Sequence, residues 1–330
     1  MSLLGVQSLV YGVDDLDAAV RFHDDFGLVA VRRDPDAVDY ALEDGSTVVL
    51  RRNDDPALPA RFTTAPGVRE VIWGVDTPAA LNALRANLSG DRKVAVDADG
   101  TLHTRDDNGI AIGFRLFARK SLEAIASTEN APGDIRRWNT HRRWVKRAVP
   151  RCMNHVVFGV PDVDRAMAFY IHRLGFKLSD VSRGLGVFMR CDGRNEHHSV
   201  FFLKTGIIAW HHVAYGVQNV DEVMVGADHM QRRGWKSDLG IGRHRIGSSV
   251  FYYLTNPAGG MSEYSADTDY LTDDWQPRLW EPRFGNWHWL GKVPDAFMSE
   301  PDWDVSIIAD TNKTFSELSG NAPPVKAMNG

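Results

Sequence analysis

The sequence predicts an α+β chain assembled from four βαβββ modules, two to each domain, and three observations carry the prediction. First, a motif recurs. A strand-like run ending in Gly-Val leads into a helix start in SLVYGVDDLDAAVRF from Ser8, EVIWGVDTPAALNAL from Glu70, HVVFGVPDVDRAMAFY from His155 and HVAYGVQNVDEVMVGA from His212. Second, each helix is followed by short strand-like runs around the turn formers EDG, DDNG, DGRN and NPAGG, in that order. Third, the interval between the second and third copies is the longest, so a connector divides the modules into pairs.

Taken in order, the first module adds strands at Val38–Leu42 and Ser46–Arg51, and the second at Val94–Val96 and Ile110–Leu116. The third adds Val187–Cys191 and His198–Leu203, and the fourth Val250–Leu254 and Met261–Ser265. Asp or Asn just after each Gly-Val strand is placed to cap the helix that follows, and Val163, Ala166, Met167, Tyr170 and Leu174 form a core-facing helical stripe. Residues 120–150 read as the linker between an N-terminal structural domain (1–119) and a C-terminal domain (151–290). The linker's cluster RRWNTHRRWVKR is read as a solvated interdomain helix rather than a nucleic-acid surface. Residues 291–330 form an extension whose closing SELSGNAPPVKAMNG reads as a loose tail.

The 330 residues carry 38 Lys and Arg against 43 Asp and Glu, a net charge of −5, so no global positive field argues for nucleic acid. Two cysteines, Cys152 and Cys191, cannot build a disulfide framework or a cysteine-rich zinc site, which sets a cytoplasmic expectation. The N-terminus has no signal-type pattern, and no run approaches the ~20 apolar residues of a membrane span, so no membrane association is expected.

Aligning the modules on Gly-Val shows where chemistry concentrates. His155 and His212 hold one position in modules three and four, where the first two modules have Ser8 and Glu70. Strand alternation sets each histidine on the small-residue face, opposite the bulky residues that pack on helices. Two imidazoles brought to one cavity call for an anion to complete a two-His-one-carboxylate metal set. Glu263, in the last strand of module four, is the candidate, with Val48 and Ile112 roughly at its place in modules one and two. Tyr253 faces Glu263 across the hairpin around NPAGG, and His244 lies in the Gly-rich loop leading into that hairpin. His197 and His198 begin the last strand of module three, and alternation lets one of them face the cavity without saying which. The remaining histidines (His23, His103, His141, His172, His211, His229 and His288) are assigned to the surface.

From Val6 to about Trp289 these residues resemble the vicinal oxygen chelate superfamily, and within it the two-domain type I extradiol ring-cleavage dioxygenases. The resemblance is most specific in MNHVVFGV, EHHSVFF, WHHVAYGV and GRHRIGSSVFYYLTNPAGGMSEY. It implies that each domain is an incompletely closed mixed β-barrel with helices outside. It further implies Fe(II), with Mn(II) as the alternative, on His155, His212 and Glu263. His198 would be the acid–base residue, with His244 and Tyr253 bonding the substrate. The implied reaction is insertion of O2 into a catecholic ring beside the diol, in aromatic catabolism, by a homo-oligomer. GRHRIGSS and EYSADTDYL lean toward a substituted monocyclic catechol. Two alternatives share the scaffold: a glyoxalase-like lyase or isomerase, which draws a fourth protein ligand, and a sequestering protein, which needs no His198, His244 or Tyr253.

Overall fold

The computed structural model describes residues 2–320 apart from 238, 296, 297 and 300. Each module has the predicted βαβββ order. Module one comprises β1 (Leu3–Val13), α1 (Leu16–Phe26), β2 (Val29–Asp34), β3 (Ala37–Ala41) and β4 (Thr47–Arg52). Module two comprises β5 (Gly67–Val75), α2 (Pro78–Ser89), β6 (Ala95–Val96), β7 (Leu102–Arg105) and β8 (Ala111–Leu116). Module three comprises β9 (Cys152–Val160), α3 (Val163–Ala168), β10 (Lys177–Ser182), β11 (Gly186–Arg190) and β12 (Val200–Lys204). Module four comprises β13 (Ala209–Gly216), α4 (Val220–Arg232), β14 (Ile241–Arg243), β15 (Val250–Thr255) and β16 (Met261–Ala266).

Local chemistry explains the repetition. Asp15, Asp162 and Asn219 each accept a backbone N–H three residues on and start α1, α3 and α4. In α2 the cap is Thr77, not the Asp76 beside the strand, because Pro78 sets the first helical position one residue later. Each turn former makes an Asx-type bond or a strut: Asp44 Oδ1 takes Ser46 N, Asp106 Oδ1 takes Asn108 N, and Asn256 Oδ1 takes Ala258 N. Asp192 instead takes Leu3 N, tying module three to the first strand of the chain at 2.7 Å. After α3 the chain continues as a π-helical turn at Phe169–Arg173, which still buries Phe169 and Tyr170.

Modules one and two share one mixed sheet, β2-β3-β4-β1-β5-β8-β7-β6, open at both ends. Modules three and four share a second, whose central order β14-β15-β16-β13-β9-β12-β11-β10 repeats that arrangement. In both, the first strands of the two modules run antiparallel at the centre, and each pairs in parallel with the last strand of its own module. The two apolar cores are continuous. Phe26 of α1 lies flat on Tyr264 of β16, with centroids 4.1 Å apart, and the Tyr264 hydroxyl donates to Phe26 O at 2.8 Å.

Several expectations are corrected. The linker forms no helix: residues 120–150 run as an extended strap with Trp138 and Trp144 exposed. Side chains take the groups a helix would use, since Asn130 Oδ1 accepts both Arg136 N and Arg137 N, and Arg137 Nε donates to Thr128 O. The C-terminal segment lengthens the second sheet at both ends. There β17 (Arg278–Trp280) adds to β10, α5 (Pro282–Asn286) follows it, β18 (Trp289–Leu290) adds to β14, and β19 (Val305–Ile307) adds to β17. The expected loose tail begins as α6 (Phe315–Ser319), whose Phe315 is buried, and its remainder from 321 lies outside the described residues. His23 is wholly buried rather than on the surface. Its Nδ1 lies 2.7 Å from Ala19 O, and burial lowers its pKa to about 4. His103 is half-buried between Glu70 (2.8 Å) and Asp97 (3.1 Å), and its bond to Glu70 raises its pKa.

Candidate metal centre and active site

The central strand pair of the second sheet delivers the two histidines. In the β9–β13 ladder His155 lies opposite Ala214 and His212 opposite Val157, so the imidazoles come from opposite strands, offset along the ladder. Parallel pairing of β13 with β16 sets Glu263 beside Ala214. The same register in the first sheet sets Val49 beside Val10 and Gly113 beside Ile72. The first-sheet counterparts of Glu263 are therefore Val49 and Gly113, one residue beyond the expected Val48 and Ile112, because Gly-Val alignment cannot read cross-strand register.

The three side chains converge. His155 Nε2 and His212 Nε2 are 3.3 Å apart, and Glu263 Oε2 lies 3.6 Å from the first and 3.1 Å from the second. They form the cluster of potential ligands found among the described residues, with donor atoms all within 4.8 Å of one another. All three residues are buried, and neither Glu263 oxygen has a hydrogen-bond partner. Such a buried carboxylate is costly unless something compensates it. Burial alone would raise the Glu263 pKa, but the two imidazoles facing the carboxyl outweigh burial and hold it below its usual range. Burial lowers the His212 pKa, which favours its neutral ring beside the Glu263 carboxylate. An ion bonded at about 2.1 Å wants donors roughly 3.0–3.4 Å apart; the His155–His212 and His212–Glu263 pairs fall in that range, and the His155–Glu263 pair, at 3.6 Å, lies just beyond it.

The other expected residues surround the centre. His198 is buried with its ring 4.0 Å from that of His155. Burial, then the neighbouring imidazoles, lowers its pKa well below the histidine norm. His197 turns the other way, placing Nε2 3.0 Å from Asp180. Both histidines precede β12 instead of beginning it, so strand alternation does not govern them. Tyr253 pairs with Glu263 in the β15–β16 ladder as expected, and its ring lies 5.0 Å from His212. His244 follows β14, with Nε2 3.3 Å from the Tyr253 hydroxyl and Nδ1 2.5 Å from Asn286 O. The carbonyl can only accept, so Nδ1 carries the hydrogen and Nε2 is left to accept from Tyr253. Burial lowers His244 to about 4 and raises Tyr253, keeping both neutral.

Sequence reasoning missed the aromatic walls. Phe188 stacks on Phe201 and meets His198 edge-on at 5.0 Å, while Trp287 and Phe251 flank His244 at 5.3 and 4.3 Å. Trp287 is thus beside the centre, whereas Trp210 packs on Tyr11 and Phe158 between the sheets.

Comparison with known proteins adds to this geometry. Residues 153–264 match the model of the Glyoxalase/Bleomycin resistance protein/Dioxygenase superfamily. The chain is 30% identical over 294 residues to Metapyrocatechase 2 of Cupriavidus necator, covering 87% of this chain and 88% of the relative. Among solved structures it is similar to the Mn(II)-bound glyoxalase from Novosphingobium aromaticivorans (TM-score 0.71, 23% identity, 91% and 95% covered). It is also similar to the 2,3-dioxygenase LapB from Pseudomonas sp. KL28 (TM-score 0.67, 19% identity, 86% and 98% covered).

Proposed function

This chain belongs to the extradiol ring-cleavage dioxygenases of the Glyoxalase/Bleomycin resistance protein/Dioxygenase superfamily, and from that premise we propose that it cleaves a catecholic ring beside the diol using O2. The observation that carries the reading is the buried Glu263 carboxylate, without hydrogen-bond partners and faced by the two histidine Nε2 atoms. His155, His212 and Glu263 would hold Fe(II), with Mn(II) as the alternative. The bound ion supplies Lewis acidity and one-electron chemistry toward dioxygen.

The chain's own residues do the rest. His198, neutral and beside His155, can take a proton from a substrate hydroxyl at its free ring nitrogen and return it later. Tyr253 donates to His244 Nε2, which leaves its phenolic oxygen free to accept from a substrate hydroxyl. Asn286 fixes that polarity by accepting from His244 Nδ1. Phe188, Phe201, Phe251 and Trp287 offer apolar faces to an aromatic ring and keep water away. The proposal includes a homo-oligomer in the cytoplasm, with 1–119 as a structural domain, 120–150 as linker, 151–290 as the catalytic domain and 291–330 as an extension. In support of the structural role, Ser8, Glu70, Val49 and Gly113 occupy the ligand-equivalent positions of the first sheet and make no three-donor cluster among the described residues.

The test is direct. Protein loaded with Fe(II) without oxygen is given a panel of catechols, then air, while oxygen uptake and yellow product are followed. Oxygen uptake with at least one catechol is expected, and turnover of methylglyoxal with glutathione in its place would overturn the reading in favour of a lyase.

A further inference from the structure

Both central strand pairs carry register breaks immediately before the ligand-equivalent positions. On β13 two residues, His211 and His212, stand against one on β9, and on β9 Asn154 is the extra residue before His155. The first sheet repeats this: Gln7 is extra before Ser8, and Arg69 is extra before Glu70. Such bulges re-aim side chains that alternation would send to opposite faces. In three modules the extra residue bonds elsewhere: Gln7 accepts from Arg115, Arg69 donates to Pro59 O, and Asn154 accepts from Cys152 Sγ. In module four alone among them it touches the ring that follows it, with His211 Nδ1 2.6 Å from His212 Nδ1.

We propose that His211 is a positioning residue that holds His212 in the one tautomer able to bind metal. This rests on the reading of His212 as a metal ligand. His212 Nε2 faces Glu263 Oε2 and His155 Nε2, so its lone pair must point there and its hydrogen must sit on Nδ1. The atom in reach of that hydrogen is His211 Nδ1, which accepts it while carrying its own hydrogen on Nε2. The contact closes the second nitrogen of the ligand ring, a role that carboxylates or carbonyls fill at most histidine metal sites.

The test uses the full chain stripped of metal with chelator and titrated anaerobically with Mn(II) alone. His211→Leu should weaken Mn(II) binding about 10–100-fold while moving the metal-free melting temperature little. His211→Asn, whose side-chain oxygen can stand where Nδ1 stands, should recover most of the affinity. Binding by His211→Leu within twofold of the parent would overturn the proposal, as would an Asn variant as weak as the Leu variant. Glu263→Gln and His212→Ala run alongside separate the two failures: if they too bind Mn(II) like the parent, the metal-centre reading itself is wrong.

Discussion

Replacing Glu263 by Gln keeps the side-chain volume and removes the one anion in the donor cluster. Loss of a residue that merely supports a ligand already costs 10–100-fold in metal affinity, so loss of the charged ligand should cost about 100-fold or more. With Mn(II) at a hundred times the parent's dissociation constant, binding stabilises the parent by about 2.7 kcal/mol, and the variant by only about 0.4 kcal/mol. A chain of this length unfolds with an entropy of about 0.7 kcal/mol/K, so the metal should raise the parent's melting temperature by about 4 °C and the variant's by under 1 °C. Differential scanning fluorimetry with and without Mn(II) measures both numbers. A variant that keeps a 3–4 °C response to metal refutes the reasoning.

Three further outcomes follow from other parts of the structure. His198→Phe should lower kcat by about 100-fold or more while Mn(II) affinity stays within threefold, and loss of metal instead would show that His198 supports the ligands rather than the proton transfers. Burial raises the Asp106 pKa to about 7, against backbone N–H donors from Ile110 and Asn108 that pull it down. The folded chain then keeps this proton where the unfolded chain, with its carboxyl near 3.9, releases it, so stability from this group is full below about pH 4 and falls as pH rises to about 7. Asp106→Asn cannot ionise, and urea unfolding should show it gaining on the parent between pH 5 and 8, by at most about 3 kcal/mol. An equal difference at both pH values would sink that account. Gly259 sits at φ +108, and a Cβ added there would run into the Pro66 carbonyl of the other half. Gly259→Ala should cost at least about 1–3 kcal/mol from backbone strain alone, and an unchanged denaturant midpoint would show that the two halves do not constrain each other there.

Much of the fold was legible before any coordinates because it rests on short-range regularities. Gly-Val endings, capping Asp or Asn and turn formers recur at fixed offsets, and each acts on neighbours a few residues away. The hairpin around NPAGG is short enough that its register follows from counting, which is why Tyr253 was found opposite Glu263. Where local rules competed with side-chain bonding they failed. The strap at 120–150 carries helix-compatible residues, yet Asn130 and Arg137 draw its backbone groups into other bonds.

The same contrast divides the site. His155 and His212 stand out in the sequence because a repeated strand position changes from Ser and Glu to His, and residue type at an aligned position needs no tertiary information. What alternation misread were the residues beside them. Polar doublets interrupt all four apolar strands at Gln7-Ser8, Arg69-Glu70, Asn154-His155 and His211-His212, a visible sign of the bulges, but their effect exists only when two strands pair out of step. The sequence alone therefore determined the modules, their pairing and the residues able to bind a metal. Tertiary pairing decided that three of them meet at one point, that His198 rather than His197 joins them, and that His211 lies against the His212 ring. Those outcomes depend on contacts between segments far apart in the chain, whose register no local preference can set.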